Sequence, residues 1–336
     1  KHKSFGVKTV QAEDEIAAVC TAIGAGYSGS IGITGTSGPG LALKSEAINL
    51  ALITELPLII SNVQRGGPST GLPTKTEQSD LLQAMFGRNG DSPLPIIAAS
   101  TPGDCFYMAY EAVRFAFRAM CPVIFLSDGY LGSGAEPFLI PNLKDLPPIE
   151  IIDYKDSKTF QPYLRDKDSL SRPRAIPGTP GLEHRIGGLE KADVSGDVSY
   201  DPLNHEIMTN YRHDKVERLA DIIPPLKVSG EKSGKILVLG WCSTYGAIKS
   251  AFELHRKKGN KVSSAHLRYL NPFPKNLGKV LDSFEIILMP ELNRGQLALI
   301  IKAKFNQKII QQNKVQGKPF LIHEIVDKIQ NILDGE

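Results

Sequence analysis

Two short apolar runs, Pro57-Leu58-Ile59-Ile60-Ser61 and Pro122-Val123-Ile124-Phe125-Leu126, constrain this chain most. Neither alternates polar with apolar residues, so each reads as a strand buried on both faces. Helical patterns surround them. Glu13-Asp14-Glu15 opens one helix, where carboxylates favour the positive helix end, and Ile16, Val19, Cys20 and Ile23 follow at helical spacing. Ser30-Ile31-Gly32-Ile33-Thr34 is a short strand, and Ala47, Ile48, Ala51 and Leu52 face inward from the next helix. Leu81, Leu82 and Met85 mark another helix, and Pro95-Ile96-Ile97-Ala98 is a strand. Thr101-Pro102 starts a helix with Pro at its first position and a buried stripe of Phe106, Tyr110, Val113 and Phe117. Strands alternating with helices predict an α/β fold with a doubly wound, mainly parallel sheet over residues 1–140.

Residues 141–230 are different. Prolines are dense, as in Pro147-Pro148 and Ile176-Pro177-Gly178-Thr179-Pro180-Gly181, and apolar periodicity is weak. This reads as a long connecting segment with a short helix near Lys215–Asp221, and Phe160, Tyr163, Tyr200 and Tyr211 argue that it packs on other surfaces. A second, smaller α/β domain is expected over 231–336. Its strands are Lys235-Ile236-Leu237-Val238-Leu239-Gly240, Val262-Ser263-Ser264-Ala265-His266-Leu267 and Ile286-Ile287-Leu288-Met289-Pro290, with a helix through Leu254 and terminal helices. A chain of 336 residues has room for two domains.

A net charge of +3 gives no reason to expect nucleic acid or membrane, and no apolar run approaches the roughly 20 residues of a membrane span. The start Lys1-His2-Lys3 reads as a trimmed product. Cys20, Cys105, Cys121 and Cys242 share no C-x-x-C spacing, so they read as isolated thiols in a reducing, cytoplasmic setting. No metal site and no iron–sulfur ligation are expected of this chain.

The run from Asn62 to Thr76 follows a buried strand, is rich in Gly and Pro, and carries Arg65 among several hydroxyls. A guanidinium at the carboxyl end of a strand suits a small carboxylate or phosphate, while a structural loop whose Arg caps a helix is the other reading. Gly35-Thr36-Ser37-Gly38-Pro39-Gly40 lacks the Lys-Ser/Thr of a phosphate loop, since Lys44 comes four residues after Gly40 and not directly after it. The turn after Gly240 is not G-x-G-x-x-G, which gives dinucleotide binding little support.

Five segments together resemble the alpha subunit of the 2-oxoacid:ferredoxin oxidoreductases, the 2-oxoglutarate type above all. They are Gln11 to Glu15, Gly35 to Gly40, Gln64 to Thr74, Leu126-Ser127-Asp128, and Pro290 to Gln296. The resemblance implies that the first domain is the pyrimidine-binding domain of a thiamin diphosphate enzyme and that the second is like the transketolase C-terminal domain. It implies that Glu15 bonds the aminopyrimidine nitrogen N1′, since the family pattern sets a glycine nine positions on, here Gly24. Ser37 and Gly38 would lie against the cofactor. Arg65 would hold the 2-oxoacid carboxylate, with Thr70 and Thr74 as hydroxyl partners.

What the chain lacks implies the rest. There is no Gly-Asp-Gly with a downstream Asn for Mg²⁺ and diphosphate. Mg²⁺, the diphosphate and a [4Fe-4S] cluster are therefore expected on a beta subunit that shares the thiamin diphosphate. Ferredoxin, coenzyme A and a gamma subunit or domain are the further partners that the resemblance implies. The implied reaction is oxidative decarboxylation of a 2-oxoacid to an acyl-CoA. Pyruvate or a branched-chain acid is the alternative substrate, and a non-catalytic scaffold subunit the alternative role. Two departures stand out: the family's Tyr-Pro-Ile-Thr-Pro stretch, normally upstream of Gln-Ala-Glu, is missing, and Cys242 replaces an expected glycine after Trp241.

Overall fold

The computed structural model describes residues 3–335, so Lys1 and His2 lie outside the described residues. The two apolar runs fall in the centre of the first sheet. Its strands β1 (Gly32–Thr36), β2 (Leu58–Gln64), β3 (Ile96–Ala98) and β4 (Pro122–Asp128) lie parallel in the order β1-β2-β4-β3. β4 is buried at every position, and β2 everywhere except Ser61 and Val63. Helices on both faces account for the lack of alternation.

The second half contributes β5 (Val228–Ser229), β6 (Gly234–Trp241), β7 (Val262–Leu267), β8 (Tyr269–Asn271), β9 (Phe284–Glu291) and β10 (Ile309–Asn313). Five of these form a second sheet in the order β10-β9-β6-β7-β5, parallel except for β5. β8 leaves that sheet and completes the first one antiparallel to β3, pairing Tyr269 with Ile97. The two units therefore share a sheet edge, and one hydrophobic core runs from Val19 through Trp241 to Ile301. A smaller core seats the helix Ile322–Asp334 on the outer face of the second sheet through Ile325 and Ile329.

Several helical expectations need correction. In the helix Glu15–Tyr27 the buried stripe is Val19, Ala22, Ile23 and Gly26, while Ile16 and Cys20 are exposed. The helix Asp104–Ala119 begins two residues after Pro102, although Thr101 Oγ1 accepts Asp104 N at 3.1 Å. It faces the sheet with Met108, Ala112, Phe115 and Ala116, not with Phe106 and Tyr110. Those aromatics turn to the chain leaving β4. Phe106 packs on Phe138 at 5.5 Å, and Tyr110 Oη donates to Pro147 O. The short helix expected near Lys215 is the end of a longer one, Pro202–Glu217, capped by Asp201, whose side chain accepts Asn204 N. It buries Arg212 and Lys215, so apolar spacing could not reveal it. β10 lies in the region where the sequence predicts only terminal helices.

The connecting segment is tied to the first domain by cations. Arg172 Nε donates to Thr54 O and Arg174 to Gly29 O. Arg165 and Lys215 both contact Glu55 Oε2, at 2.6 and 2.8 Å. Arg165 also lies over the Tyr163 and Tyr211 rings, at 5.5 and 5.0 Å. These anchors sit before β1 and β2, and Lys215 Nζ also donates to Met120 O before β4, all at the amino ends of the strands. Burial would raise the Glu55 carboxyl and lowers Lys215. With two cations on one carboxylate, Glu55 stays ionised, held down to about 2.

Removing one partner of such a network leaves an uncompensated buried charge. Glu55→Ala is expected to lower the unfolding free energy by about 3–5 kcal/mol at neutral pH. The folded-state pKa is depressed, so this stability is complete above the ordinary value of 4.5 and lost as pH falls through about 2. Urea unfolding of wild type and variant at pH 7 and at pH 3 should show the gap narrowing. A gap that widens in acid would contradict the assignment.

Candidate functional site

Four of the five conspicuous segments lie at the carboxyl ends of parallel strands, where ligands sit in open α/β sheets, and the fifth, Gln11 to Glu15, leads into the helix Glu15–Tyr27. β1 runs out into Ser37 and Gly38, β2 into Arg65, β4 ends at Asp128, β6 at Trp241, and β9 at Glu291.

Glu15 is the first residue of its helix and is half-buried, whereas Glu13 is exposed ahead of it. The cap is Asp14, whose Oδ1 accepts Ala17 N at 2.7 Å. The Glu15 carboxylate makes no hydrogen bond among the described residues. It lies against Gly40, where a Cβ would come 2.8 Å from Glu15 Cγ and 2.1 Å from Thr36 Oγ1. Two residues back, Gly38 faces Asp80, and a Cβ there would lie 2.6 Å from Asp80 Oδ1. Ser37 precedes the helix Gly38–Leu43 without capping it through its side chain. Glycine at 38 and 40 thus lets the side chains of Asp80, Thr36 and Glu15 close against this helix, which brings two carboxylates to its start.

Arg65 is half-buried where β2 ends, and its Nε is buried without a partner. The loop beyond it is a closed structure. Gly66 N donates to Lys75 O, Leu72 N donates to Gly66 O, and Gly71 has φ +48° where a Cβ would lie 2.2 Å from Gly66 O. Glu77 holds the loop from below by accepting Gly317 N. Thr70 and Thr74 are exposed on the outer arm of this loop, with no side-chain hydrogen bond among the described residues. The structure brings Glu15, Ser37 and Gly38 together and sets Arg65 beyond Asp80. It does not bring Thr70 and Thr74 onto the guanidinium.

Sequence reasoning missed Asp80. Its carboxylate accepts Asn62 Nδ2 at 2.9 Å and Ser79 Oγ at 3.0 Å, and its N–H donates to Gln64 Oε1. Burial pushes it above the usual aspartate range, against those hydrogen bonds and the Arg65 charge. Only its place shortly after the hydroxyl-rich loop could have drawn attention to it.

The remaining segments join the two sheets. Gln78 is fully buried; its Nε2 donates to Trp241 O and its Oε1 accepts Leu292 N, each at 2.7 Å. Asn293 Nδ2 donates to Gln78 O, and the Gln296 side chain bonds both Ser79 O and Leu82 N. Glu291 accepts Trp241 Nε1 and the amides of Leu297 and Ala298. Asp128 caps the next helical turn through Tyr130 N and Leu131 N and reaches Ser243 N across the interface. Cys242 has φ +51°, the left-handed conformation that accounts for a glycine being expected there and that costs roughly 1–2 kcal/mol in a residue with a Cβ. Among the described residues no three His, Cys, Asp or Glu side chains gather as metal ligands, and no helix is long and apolar enough to cross a membrane. A cavity of about 620 Å³ lies at the opposite pole, lined by Phe117, Met120, Arg165 and Arg172, away from this site.

The thiamine-diphosphate-binding domain of the pyruvate flavodoxin/ferredoxin oxidoreductases matches residues 2–200, and core domain II of pyruvate:ferredoxin oxidoreductase matches residues 234–325. The chain belongs to the 2-oxoacid:ferredoxin oxidoreductase family. It is 52% identical, over its whole length, to the 2-oxoglutarate oxidoreductase subunit KorA of Mycobacterium tuberculosis and spans 51% of that protein. It is 33% identical over 87% of its length to a 2-oxoglutarate synthase subunit KorA of Archaeoglobus fulgidus, covering 77% of it. The 2-oxoglutarate:ferredoxin oxidoreductase of Magnetococcus marinus, solved with 2-oxoglutarate, coenzyme A and succinyl-CoA bound, superposes at TM-score 0.92 with 36% identity. That match covers 98% of this chain and 58% of the other. A split-gene transketolase at TM-score 0.50 and 11% identity shares the fold. The alpha-subunit resemblance and the mainly parallel α/β architecture read from the sequence are thus borne out.

In this member of the family the Gln78 clamp keeps the site segment in place. Gln78→Ala would leave Leu292 N buried without its partner, at about 1–3 kcal/mol, and would take one of two hydrogen bonds from Trp241 O, which keeps that of Thr244 Oγ1. Thermal or urea unfolding should therefore show a loss of about 1–3 kcal/mol. Unchanged stability would mean that water replaces the side chain at no cost.

Proposed function

We propose that this chain supplies the pyrimidine half of a thiamin diphosphate site in the alpha subunit of an oxidoreductase that decarboxylates 2-oxoglutarate, forms succinyl-CoA and passes electrons to ferredoxin. The observation that carries this reading is the unengaged Glu15 carboxylate against the bare backbone of Gly40, with Arg65 beyond Asp80 at the same strand ends. The substrate follows the names of the relatives. A beta subunit would bring Mg²⁺, the diphosphate contacts and the [4Fe-4S] cluster, because the described residues gather no such ligand set.

Thiamin diphosphate supplies, when bound, a carbon nucleophile at C2 for the ketone carbonyl and a place for the electron pair left when carbon dioxide departs. The chain's own residues do the rest. Glu15 shares a proton with ring nitrogen N1′, which is positioned acid–base catalysis at that atom. Ser37 and Gly38 present backbone beneath the ring. Arg65 orients the substrate carboxylate by a charge-assisted fork, and Thr70 and Thr74 close on the substrate from the loop. A scaffold role would leave both Glu15 and Arg65 without a task.

Two substitutions in the assembled complex test this reading. Glu15→Gln should fold normally yet slow C2 hydrogen exchange of bound cofactor by on the order of 100-fold or more. Arg65→Met removes a charge-assisted bond of about 1.5–3 kcal/mol, so kcat/KM for the 2-oxoacid should fall by roughly 10- to 150-fold while cofactor affinity holds. Assays across 2-oxoacids with a viologen acceptor give both kinetics and preference. Loss of cofactor binding with an unchanged substrate KM in Arg65→Met would move Arg65 to the cofactor.

A further inference from the structure

Lys44 is the only residue between the helices Gly38–Leu43 and Ser45–Ile53, and it caps both. Its side chain is wholly shielded from solvent, and its Nζ has no hydrogen-bond partner. A buried ammonium in that state is unfavourable, and an apolar residue of similar length would serve packing better. Packing alone therefore does not account for a lysine here.

Its neighbourhood does. The Lys44 N–H donates to Gly40 O, so the residue stands one turn beyond the glycine whose bare face receives Glu15. A Cβ on Gly40 would lie 3.2 Å from Glu15 Oε1. Burial lowers the Lys44 ammonium from its ordinary range, and the charges that oppose this are Glu15 first and Asp14 second. Asp14 is engaged in capping. Asp80, the other carboxylate beside this helix, stands against Gly38 at its far end. Among the described residues Lys44 makes no ion pair, and Glu15 is the uncapped carboxylate whose charge bears most on this cation. Hydrogen bonds in such sites are commonly long before the ligand arrives and tighten afterwards.

We propose that Lys44 is a positioning residue for Glu15: its ammonium orients the carboxylate and balances its charge, so that the proton shared with the aminopyrimidine ring lies toward the ring. The inference rests on the proposed role of Glu15 and extends it to a residue that touches neither substrate nor cofactor.

The test uses the assembled complex and three variants, Lys44→Met, Lys44→Arg and Lys44→Gln. Unfolding without cofactor should give a Tm for Lys44→Met equal to or above that of wild type. C2 hydrogen–deuterium exchange of bound thiamin diphosphate, followed across pH, should slow by roughly 10- to 100-fold in Lys44→Met, the range for partners that orient a functional ligand. The pH profile should move, Lys44→Arg should recover most of the rate, and the KM for the 2-oxoacid should stay unchanged. Glu15→Gln combined with Lys44→Met should be no slower than Glu15→Gln alone, because the lysine acts through that carboxylate. Lys44→Gln gives the same reading should the methionine variant fail to assemble.

A lowered Tm with wild-type exchange would make Lys44 a structural residue and overturn the proposal. So would additive losses in the double variant. If Glu15→Gln itself exchanged at the wild-type rate, the Glu15 reading would fall first. Slow Glu15→Gln beside wild-type Lys44→Met would remove Lys44 alone.

Discussion

The site depends on one fully buried amide. Gln78 ties the loop after β2 to the carboxyl ends of β6 and β9, with bonds from both ends of its side chain and from its own backbone. The next two residues carry the consequence. Ser79 Oγ donates to Arg65 O, and Asp80 stands between Gly38 and the Arg65 charge. The second domain therefore does not merely follow the first. Through Gln78, Asn293 and Gln296 it fixes where the first domain's polar groups point, and β8 fuses the two into one body by completing the first sheet. Amides suit this task because each offers a donor and an acceptor in fixed geometry without the desolvation penalty of a charge.

The two poles of the first sheet serve different ends. At the amino ends, Arg165, Arg172, Arg174 and Lys215 engage groups around Gly29, Thr54 and Glu55 and hold a connecting segment that has little regular structure. Those contacts are ion pairs and backbone bonds that confer stability, although Glu55 Oε1, Arg165 Nε and Arg174 Nε are buried there without a partner. At the carboxyl ends, Arg65 Nε and Lys44 Nζ lie buried without partners, and Glu15 is unengaged. The difference between the poles is that Glu55, Arg165 and Lys215 are paired through other atoms, whereas the Lys44 ammonium has no hydrogen-bond partner at all.

The strands were legible because burial on both faces leaves a continuous apolar run, as in β2 and β4, and because Gly and Pro punctuate their ends. Helix faces were less so. Phe106 and Tyr110 share a helical stripe with Val113, yet they serve the chain leaving β4, and hydropathy does not tell one apolar partner from another. The helix Pro202–Glu217 was under-read because it buries Arg212 and Lys215 against carboxylates, which periodicity counts as solvent-facing. At the site, Arg65 stood out through its local pattern, and Glu15, Ser37 and Gly38 through the family resemblance. Asp80, Gln78 and Lys44 did not, since their roles come from long-range contacts, such as those of Gln78 with Trp241 and Leu292.

The central claim is that this chain carries half of a thiamin diphosphate site and that Glu15 is its proton-sharing group. The most direct measurement is an experimental structure of the assembled alpha–beta complex with thiamin diphosphate and 2-oxoglutarate bound. The account places a Glu15 carboxylate oxygen within hydrogen-bonding distance of the aminopyrimidine N1′, with the ring over Ser37 and Gly38 and the Arg65 guanidinium on the 2-oxoacid carboxylate. A structure in which Asp80 or Glu13 meets N1′, or in which Arg65 binds the diphosphate, would contradict it.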